Sequence, residues 1–554
     1  MEKGKESKKS GLKLFTDRLD EPLEKASMPK FLGYLAVFGP GLIWAGVAQG
    51  SGELVWWPYM VMKYGLFFVG WLIIFAALQW WYNQEIGRYT VATGESIFEG
   101  WHRIHHLFGW LMLLMGVFFF IWSAGFLGGS ASAVAAITNF PGGWSTQAQG
   151  QFWSVLILVI LAIIVAIGPQ AYRIVEIVES IAAIGAFFGM LITIIALPAA
   201  RGITGEYFAA LFQPKLGLPP TWDAADISIF VLLVVYTGNG GFFNMMYSYW
   251  LRDEGWGMAE NIGRVTNPVT GEEEAIPRTG LGFEDTEENL EEYESWIRTL
   301  WVDNGFGVIF NLVTIMLTSI LTYGVLRPQY LAGTASPPAG WELVVVQGEW
   351  LAAAWGEAGR ILMLVIGFFF LFDVFLSVGD FSARVWSSNI DTNIKETISN
   401  SALTWIGIFA PLAIILSIVF YDASLIASQP LIGYGSLFAG IFYAFAVATI
   451  AVYSISKDFS YSKMYYIFLG LFYFMGVLTT FLSRPGPIII LTGITNMLTM
   501  VIACWALLYL NWFHLPEIHP AGEKIRPSWV TFAILVGISI TFTAIWGWYL
   551  SLTL

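Results

Sequence analysis

The stretch 45–60, AGVAQGSGELVWWPYM, places a carboxylate, Glu53, among small residues and next to two adjacent tryptophans, in the middle of an apolar run. Gly46, Gly50 and Gly52, with Ser51, fall within a few residues of one another, and glycine most readily lets backbone leave the helical conformation. The spacing predicts a helix broken near Gln49–Gly52. A second stretch, VVYTGNGGFFNMMY at 234–247, repeats the device with Gly238, Gly240 and Gly241 around Asn239. A glycine-rich packing face accounts for either stretch alone. An acid in one and an amide in the other argue for two interruptions that face a shared cavity, because non-helical backbone at membrane depth is tolerated only where protein or a watery cavity satisfies its polar groups.

That these runs lie in a membrane follows from composition. The chain has 554 residues, 56% of them hydrophobic and only 12% charged, which is more apolar surface than one aqueous globule can hide. A bilayer core needs roughly 20 apolar residues per helix. Runs of that kind fall near 33–62, 66–92, 108–138, 151–168, 173–198, 226–250, 304–326, 359–381, 402–421, 424–453, 464–483, 486–512 and 528–552, giving about 12–13 transmembrane helices. The chain is expected to be an all-α polytopic protein of the cell (inner) membrane. Its lysine-rich start, MEKGKESKKSGLKLFTDRLDEPLEKASMPK, has no apolar core with a small-residue cleavage site behind it and reads as a cytosolic tail over 1–31. The single cysteine, Cys504, rules out an intramolecular disulfide and a multi-cysteine metal site. A net charge of −13 gives no sign of nucleic-acid binding.

Arg88, Arg103, Arg173, Arg384, Lys395, Lys457, Lys463, Lys524 and Arg526 all fall on the same side as the N-terminus in this count, the cytosolic side by the positive-inside rule. Arg201 and Arg484 are exceptions on the opposite side. Two polar interruptions divide the spans. The segment 251–299 carries GEEEAIPRTG and FEDTEENLEEYESWIR and reads as a solvated cytosolic loop with a short acidic helix, or one with a regulatory or cation-attracting role. The segment 327–358 has Pro and Gly around an amphipathic helix and reads as an external lid.

The two interruptions and their neighbours resemble the Nramp family of divalent-metal transporters. GPGLIWAGVAQGSGE resembles the opening of that family's first helix, EIGRYTVATGESI the end of its second, and YRIVEIVES the start of its fifth. VDNGFGVIFN, with Asp303 and Asn311, is similar to its seventh, and LIASQPLIGYG, with Ser428 and Gln429, to its tenth. The resemblance implies a LeuT-like fold of two inverted five-helix repeats over 32–454, with additional helices over 455–554. It also implies a secondary transporter with its site between unwound helices 1 and 6 and no enzymatic activity. By spacing from Gly39-Pro40, the family's metal-binding Asp falls on Gly50 and its Asn on Glu53. Its sixth-helix Met-Pro-His is absent, with Asn239 at the methionine's position and Gly241 near the histidine's, and 118–137 lacks the acidic residues the family uses in proton coupling.

The candidate substrate site comprises Gln49, Gly50, Glu53, Thr237, Asn239, Gln429 and Asp373, with Glu53, Asn239 and Gln429 as candidate metal ligands. All are oxygen donors, which suit hard cations such as Mg²⁺, Ca²⁺ or Mn²⁺. A carboxylate inside a membrane is costly and by default functional. Asp373, in FLFDVFLSVGD, is the second acid for a dication, or an internal hydrogen-bonding group. Asp380 has the i, i+4 spacing to pair with Arg384. Trp56, Trp57 and Tyr59 beside Glu53 suggest the rival reading, a cation–π box for an organic amine or amino acid, although packing and interfacial roles account for most of the 26 tryptophans. HRIHHLF at 102–108 has no matching acids or cysteines around it. The expected partners are a divalent metal cation, or a small cationic organic substrate, and the lipid bilayer. No cofactor is expected.

Overall fold

Glycine and amide positions set where the first and sixth spans stop, and the remaining helices pack around the two stops. The computed structural model describes residues 22–34, 39–167, 184–262, 279–394 and 430–553. In chain order the helices are α1 (Pro40–Val47), α2 (Trp57–Tyr64), α3 (Leu72–Thr93), α4 (Ile97–Ile104), α5 (Leu107–Thr138), α6 (Thr146–Ile167), α7 (Ile184–Ala196), α8 (Pro198–Leu211), α9 (Ile227–Tyr236), α10 (Phe242–Asp253), α11 (Glu287–Leu331), α12 (Gly348–Thr392), α13 (Pro430–Ser456), α14 (Tyr461–Leu482), α15 (Pro485–Ile518) and α16 (Trp529–Thr553). A short parallel pair, β1 (Glu24–Ala26) with β2 (Leu281–Phe283), lies on the N-terminal side.

Among the described residues seven helices are long and apolar enough to cross a membrane, or eight if the bent pair α7–α8 is one span. The chain is an all-α polytopic membrane protein. Fewer long helices appear than the apolar runs predict, for physical reasons. The first and sixth spans are each cut into pieces, and α3 carries Gln79, Asn83, Gln84, Glu85 and Arg88 on its buried surface. The run at 402–421 and the start of that at 173–198 lie outside the described residues.

Two boundaries differ from the expectation. The acidic stretch before span seven is not a separate short helix: α11 starts at Glu287, where the Thr286 hydroxyl accepts the Asn289 N–H at 3.3 Å and two glutamates occupy the first turn, a favourable cap and charge arrangement for a helix start. The helical parts of the 327–358 segment belong to its neighbours: Arg327–Leu331 ends α11, and from Gly348 the chain is α12, which bends at Gly356 (φ 61°, ψ −148°). The SRPGP sequence does separate two helices, α14 and α15.

Two groups of helices emerge. α5, α12 and α14 pack on one another, while α1 and α3 each pack on α11 and on α10. α5 is the central helix, with 94% of its most apolar window buried, and α16 is peripheral, with only 28%. Polar ties knit the second group: the Asn304 amide donates to Trp80 O at 2.8 Å, and Arg327 donates to Met62 O at 2.9 Å at the end of α2.

Candidate functional site

The first span stops where the sequence predicts. α1 ends at Val47, backbone turns through Ala48–Gly50, and the chain resumes as a π-helical turn, Gly52–Trp56, that runs into α2. Glu53 braces this break. One carboxylate oxygen accepts the Gly50 N–H at 2.8 Å, and the other accepts from the Asn311 side chain on α11 at 2.5 Å. The same Asn311 amide donates to Ala48 O at 3.0 Å, so one side chain satisfies both the loosened carbonyl and the acid. On the opposite side of the π turn, Gln347 donates to Leu54 O at 2.7 Å.

The sixth span is opened more widely. Between α9 and α10 the backbone takes left-handed dihedrals at Gly238 (φ 133°), Gly240 (φ 47°) and Gly241 (φ 65°), conformations that side chains strongly disfavour. Amides from elsewhere satisfy the freed groups. Gln79 on α3 donates to Val234 O and Val235 O at 3.2 and 3.3 Å, and Asn496 on α15 accepts the Phe242 N–H at 3.0 Å. Asn244 donates to both Gln79 and Asn83.

The breaks lie against each other. A methyl placed on Gly52 would stand 2.6 Å from Tyr236 O, Trp57 Nε1 donates to Thr237 Oγ1 at 2.9 Å, and the Asn239 amide donates to Trp44 O at 3.3 Å. Between them is a cavity of about 20 Å³, lined by Ala48, Gly50, Ser51, Gly52, Glu53, Phe126, Tyr236, Gly238, Asn239, Phe243 and Val374, enough for one water-sized body. Among the described residues Ser51 Oγ has no partner there, nor have the nearby buried acceptors Gln49 Oε1 and Asn311 Oδ1.

Of the residues expected from sequence, Gly50, Glu53 and Asn239 line this cavity. Gln49 is buried beside it, with its amide on Ala45 O at 3.2 Å. The Thr237 hydroxyl is occupied by Trp57 and by Leu233 O. Asp373 lies on α12 one position before the cavity-lining Val374, with its Oδ2 4.0 Å from where a methyl on Gly46 would be. Gln429 lies outside the described residues. Trp57 is a brace between the spans, while Trp56 and Tyr59 face a different space. Sequence reasoning missed Gln79, Gln347 and Asn496; Gln79 and Asn496 are polar residues in apolar helices, the only signal for them, while Gln347 lies just before α12 in the segment read as a lid.

That other space is a vestibule of about 670 Å³ on the side away from the N-terminus. On the N-terminal side ion pairs close the structure: Arg103 with Glu95 at 2.6 Å, Arg252 with Glu99 at 3.0 Å, and Arg384 with both Asp380 at 2.7 Å and Asp253. Burial alone would raise the Glu95 carboxyl; the Arg103 guanidinium outweighs it and holds that carboxyl below its ordinary value. At the start of α1 the Asp303 carboxylate faces the Gly39 and Gly41 amides and accepts from Tyr247 OH at 2.8 Å. The expected Asp380–Arg384 pair is present. Among the described residues no group of three or more His, Cys, Asp and Glu side chains could hold a metal ion, and His105 instead caps α5 by accepting the Leu107 N–H.

Neither a family model nor a curated protein matches the sequence. Similar solved structures include the Eremococcus coleocola manganese transporter in complex with an aromatic bis-isothiourea substituted compound, at 13% identity and a TM-score of 0.45, covering 97% of this chain and 99% of that one. Another is MhsT in complex with L-phenylalanine, at 13% identity and a TM-score of 0.43, covering 95% of this chain and 99% of that one.

Proposed function

We propose that the chain is a secondary transporter of the LeuT-like, divergent Nramp-like kind, which moves a cation, a divalent metal ion, through the cavity between the breaks in its first and sixth spans. The observation that carries this reading is the cavity itself. It is ion-sized, it lies where two helices are interrupted against each other, and its polar lining is all oxygen and amide, with Glu53 as the carboxylate. Carboxylate, carbonyl and amide oxygens favour hard dications, and no thioether or imidazole lines the cavity to retain a softer one. Glu53 with Asn239, and Gln429 from the tenth span, would be the side-chain ligands. Ala48 and Gly50 carbonyls and Ser51 would complete the oxygen set, and Asp373 would supply a second charge nearby.

The sealed N-terminal side and the open vestibule opposite it suit an outward-facing state, with the N-terminus cytosolic. A second reading, an organic amine or amino acid, draws support from the three aromatic residues Phe126, Tyr236 and Phe243 in the same wall as Glu53.

Uptake into proteoliposomes, together with thermal stabilisation of the purified chain across Mg²⁺, Ca²⁺, Mn²⁺, Cd²⁺ and a set of amines and amino acids, tests both. Metal uptake with Mg²⁺ and Ca²⁺ competing against Cd²⁺ is expected. Stabilisation by an amine or amino acid and by no metal transfers the case to the second reading.

A further inference from the structure

The vestibule carries a feature that a cation pathway does not need. On the side away from the N-terminus, the described basic residues other than Arg484 each have a partner. Lys63 pairs with Asp226 at 2.6 Å, Arg201 donates to Ile195 O, Lys215 lies over the Phe67 ring, Arg327 donates to Met62 O and Arg360 pairs with Glu357. Arg484 has none among the described residues, and it sits in the vestibule wall at the start of α15. The positive-inside rule disfavours arginine on this side, so its presence calls for a use.

Nothing at the helix start competes for that role. Pro485 and Pro487 have no N–H, and the Gly486 N–H is spent on Gly340 O at 3.2 Å, which leaves the guanidinium as the anion-binding group. Part of the wall around it is apolar and aromatic, with Trp56, Trp341, Ile490 and Leu491, and part is polar, with Ser145, Thr146, Gln147 and Ser228. Trp56 and Trp341 are 2% and 6% exposed, and each buries an indole N–H that has no acceptor among the described residues. The neighbouring acids are Asp226, already held by Lys63, Tyr59 and Tyr64, and Glu342. A cavity of about 670 Å³ with one arginine, two carboxylates of which Asp226 is already paired, and an apolar stretch of wall is the size of an organic-ligand site.

We propose that this vestibule is a binding site for an organic carboxylate with an apolar body: the carboxylate pairs bidentately with Arg484, and the body lies against Trp56 and Trp341. A planar guanidinium matches two carboxylate oxygens in a way that an ammonium does not. The site is separate from the ion-sized cavity and does not depend on what that cavity carries.

Calorimetry on the full purified chain, with 3-phenylpropionate and its uncharged analogue 3-phenylpropionamide as probes in metal-free buffer, tests it. Saturable binding of the carboxylate is expected, with the amide about tenfold weaker or worse. Arg484→Gln should remove the difference between the two, and Arg484→Lys should retain part of it. Equal binding of acid and amide, or an Arg484→Gln protein that still prefers the acid, overturns the proposal.

Discussion

The breaks in the first and sixth spans look alike in sequence and are built differently. In the sixth, Gly238, Gly240 and Gly241 all have positive φ, and glycine is required for the backbone path itself. In the first, none of Gly46, Gly50 and Gly52 does. There glycine is required for room: Gly52 lies against Tyr236 and Gly50 against Val374 on α12. The bracing differs in the same way. The first break is held by an acid within it, Glu53, together with Asn311, whereas the sixth is held by neutral amides from α3 and α15. A charge has been placed only where the helix is least distorted, so the first break responds to charge and the sixth to shape.

The largest effect should come from breaking the shape of the sixth span. Gly240→Ala forces a side chain into φ 47° and against the Val235 carbonyl. Left-handed backbone at a non-glycine residue costs roughly 1–3 kcal/mol before any clash, and no nearby side chain can be trimmed to relieve a backbone contact. A loss of about 3 kcal/mol or more is expected, read as a lowered melting temperature and absent uptake. A variant that melts and transports like the parent would show that glycine is not required there.

Next is charge at the first break. Glu53→Gln should lower uptake about tenfold or more, since a hydrogen bond to a charged group is worth roughly 1.5–3 kcal/mol and the new NH₂ would face a donor, Asn311 or Gly50. The double variant Glu53→Gln with Asn311→Asp restores an acceptor opposite that amide and moves the charge by one side chain, while Ala48 O loses its donor. If Glu53 only braces the helix, the double variant should regain part of both stability and transport. If it also contacts the cation, part of the stability should return while cation affinity or selectivity stays altered.

Asn496→Ala leaves the Phe242 N–H buried without an acceptor, a cost of about 1–3 kcal/mol. Melting temperature should fall while the ion selectivity of whatever uptake remains is unchanged, because Asn496 does not line the cavity. A changed selectivity would mean that the two breaks are not independent.

The breaks themselves were legible in sequence because several glycines close together in an apolar run weaken the helix at that point, and Glu53 stood out because membranes exclude isolated acids. Their bracing was not legible. Gln79, Gln347 and Asn496 lie far along the chain from the backbone they satisfy, and only the packing of α3, the turn before α12, and α15 brings them there. Likewise, the acid-rich 287–298 stretch carries no signal that it continues into span seven, because its polar side chains hide the helical period until Thr286 is seen as the cap. Asp373 shows a subtler limit. Its charge in an apolar helix was visible, but which face of α12 meets the cavity was settled by packing, and it is the neighbouring Val374 that lines the cavity.

The smallest effect separates room from conformation most cleanly. A methyl on Gly50 would stand 2.9 Å from Val374 Cγ2 and touch nothing else within 4 Å, so Gly50→Ala meets only the end of one side chain and no unfavourable dihedral. Overpacking of this kind costs on the order of 1 kcal/mol. Val374→Ala alone should also destabilise, by opening a small cavity. Because the two side chains share one contact, their effects should not add, and the double variant should be more stable than the sum of the singles predicts. No second-site truncation should rescue Gly240→Ala in the same way. If Gly50→Ala resists rescue by Val374→Ala, then glycine at position 50 is also needed for its backbone, and the two breaks are more alike than their dihedrals indicate.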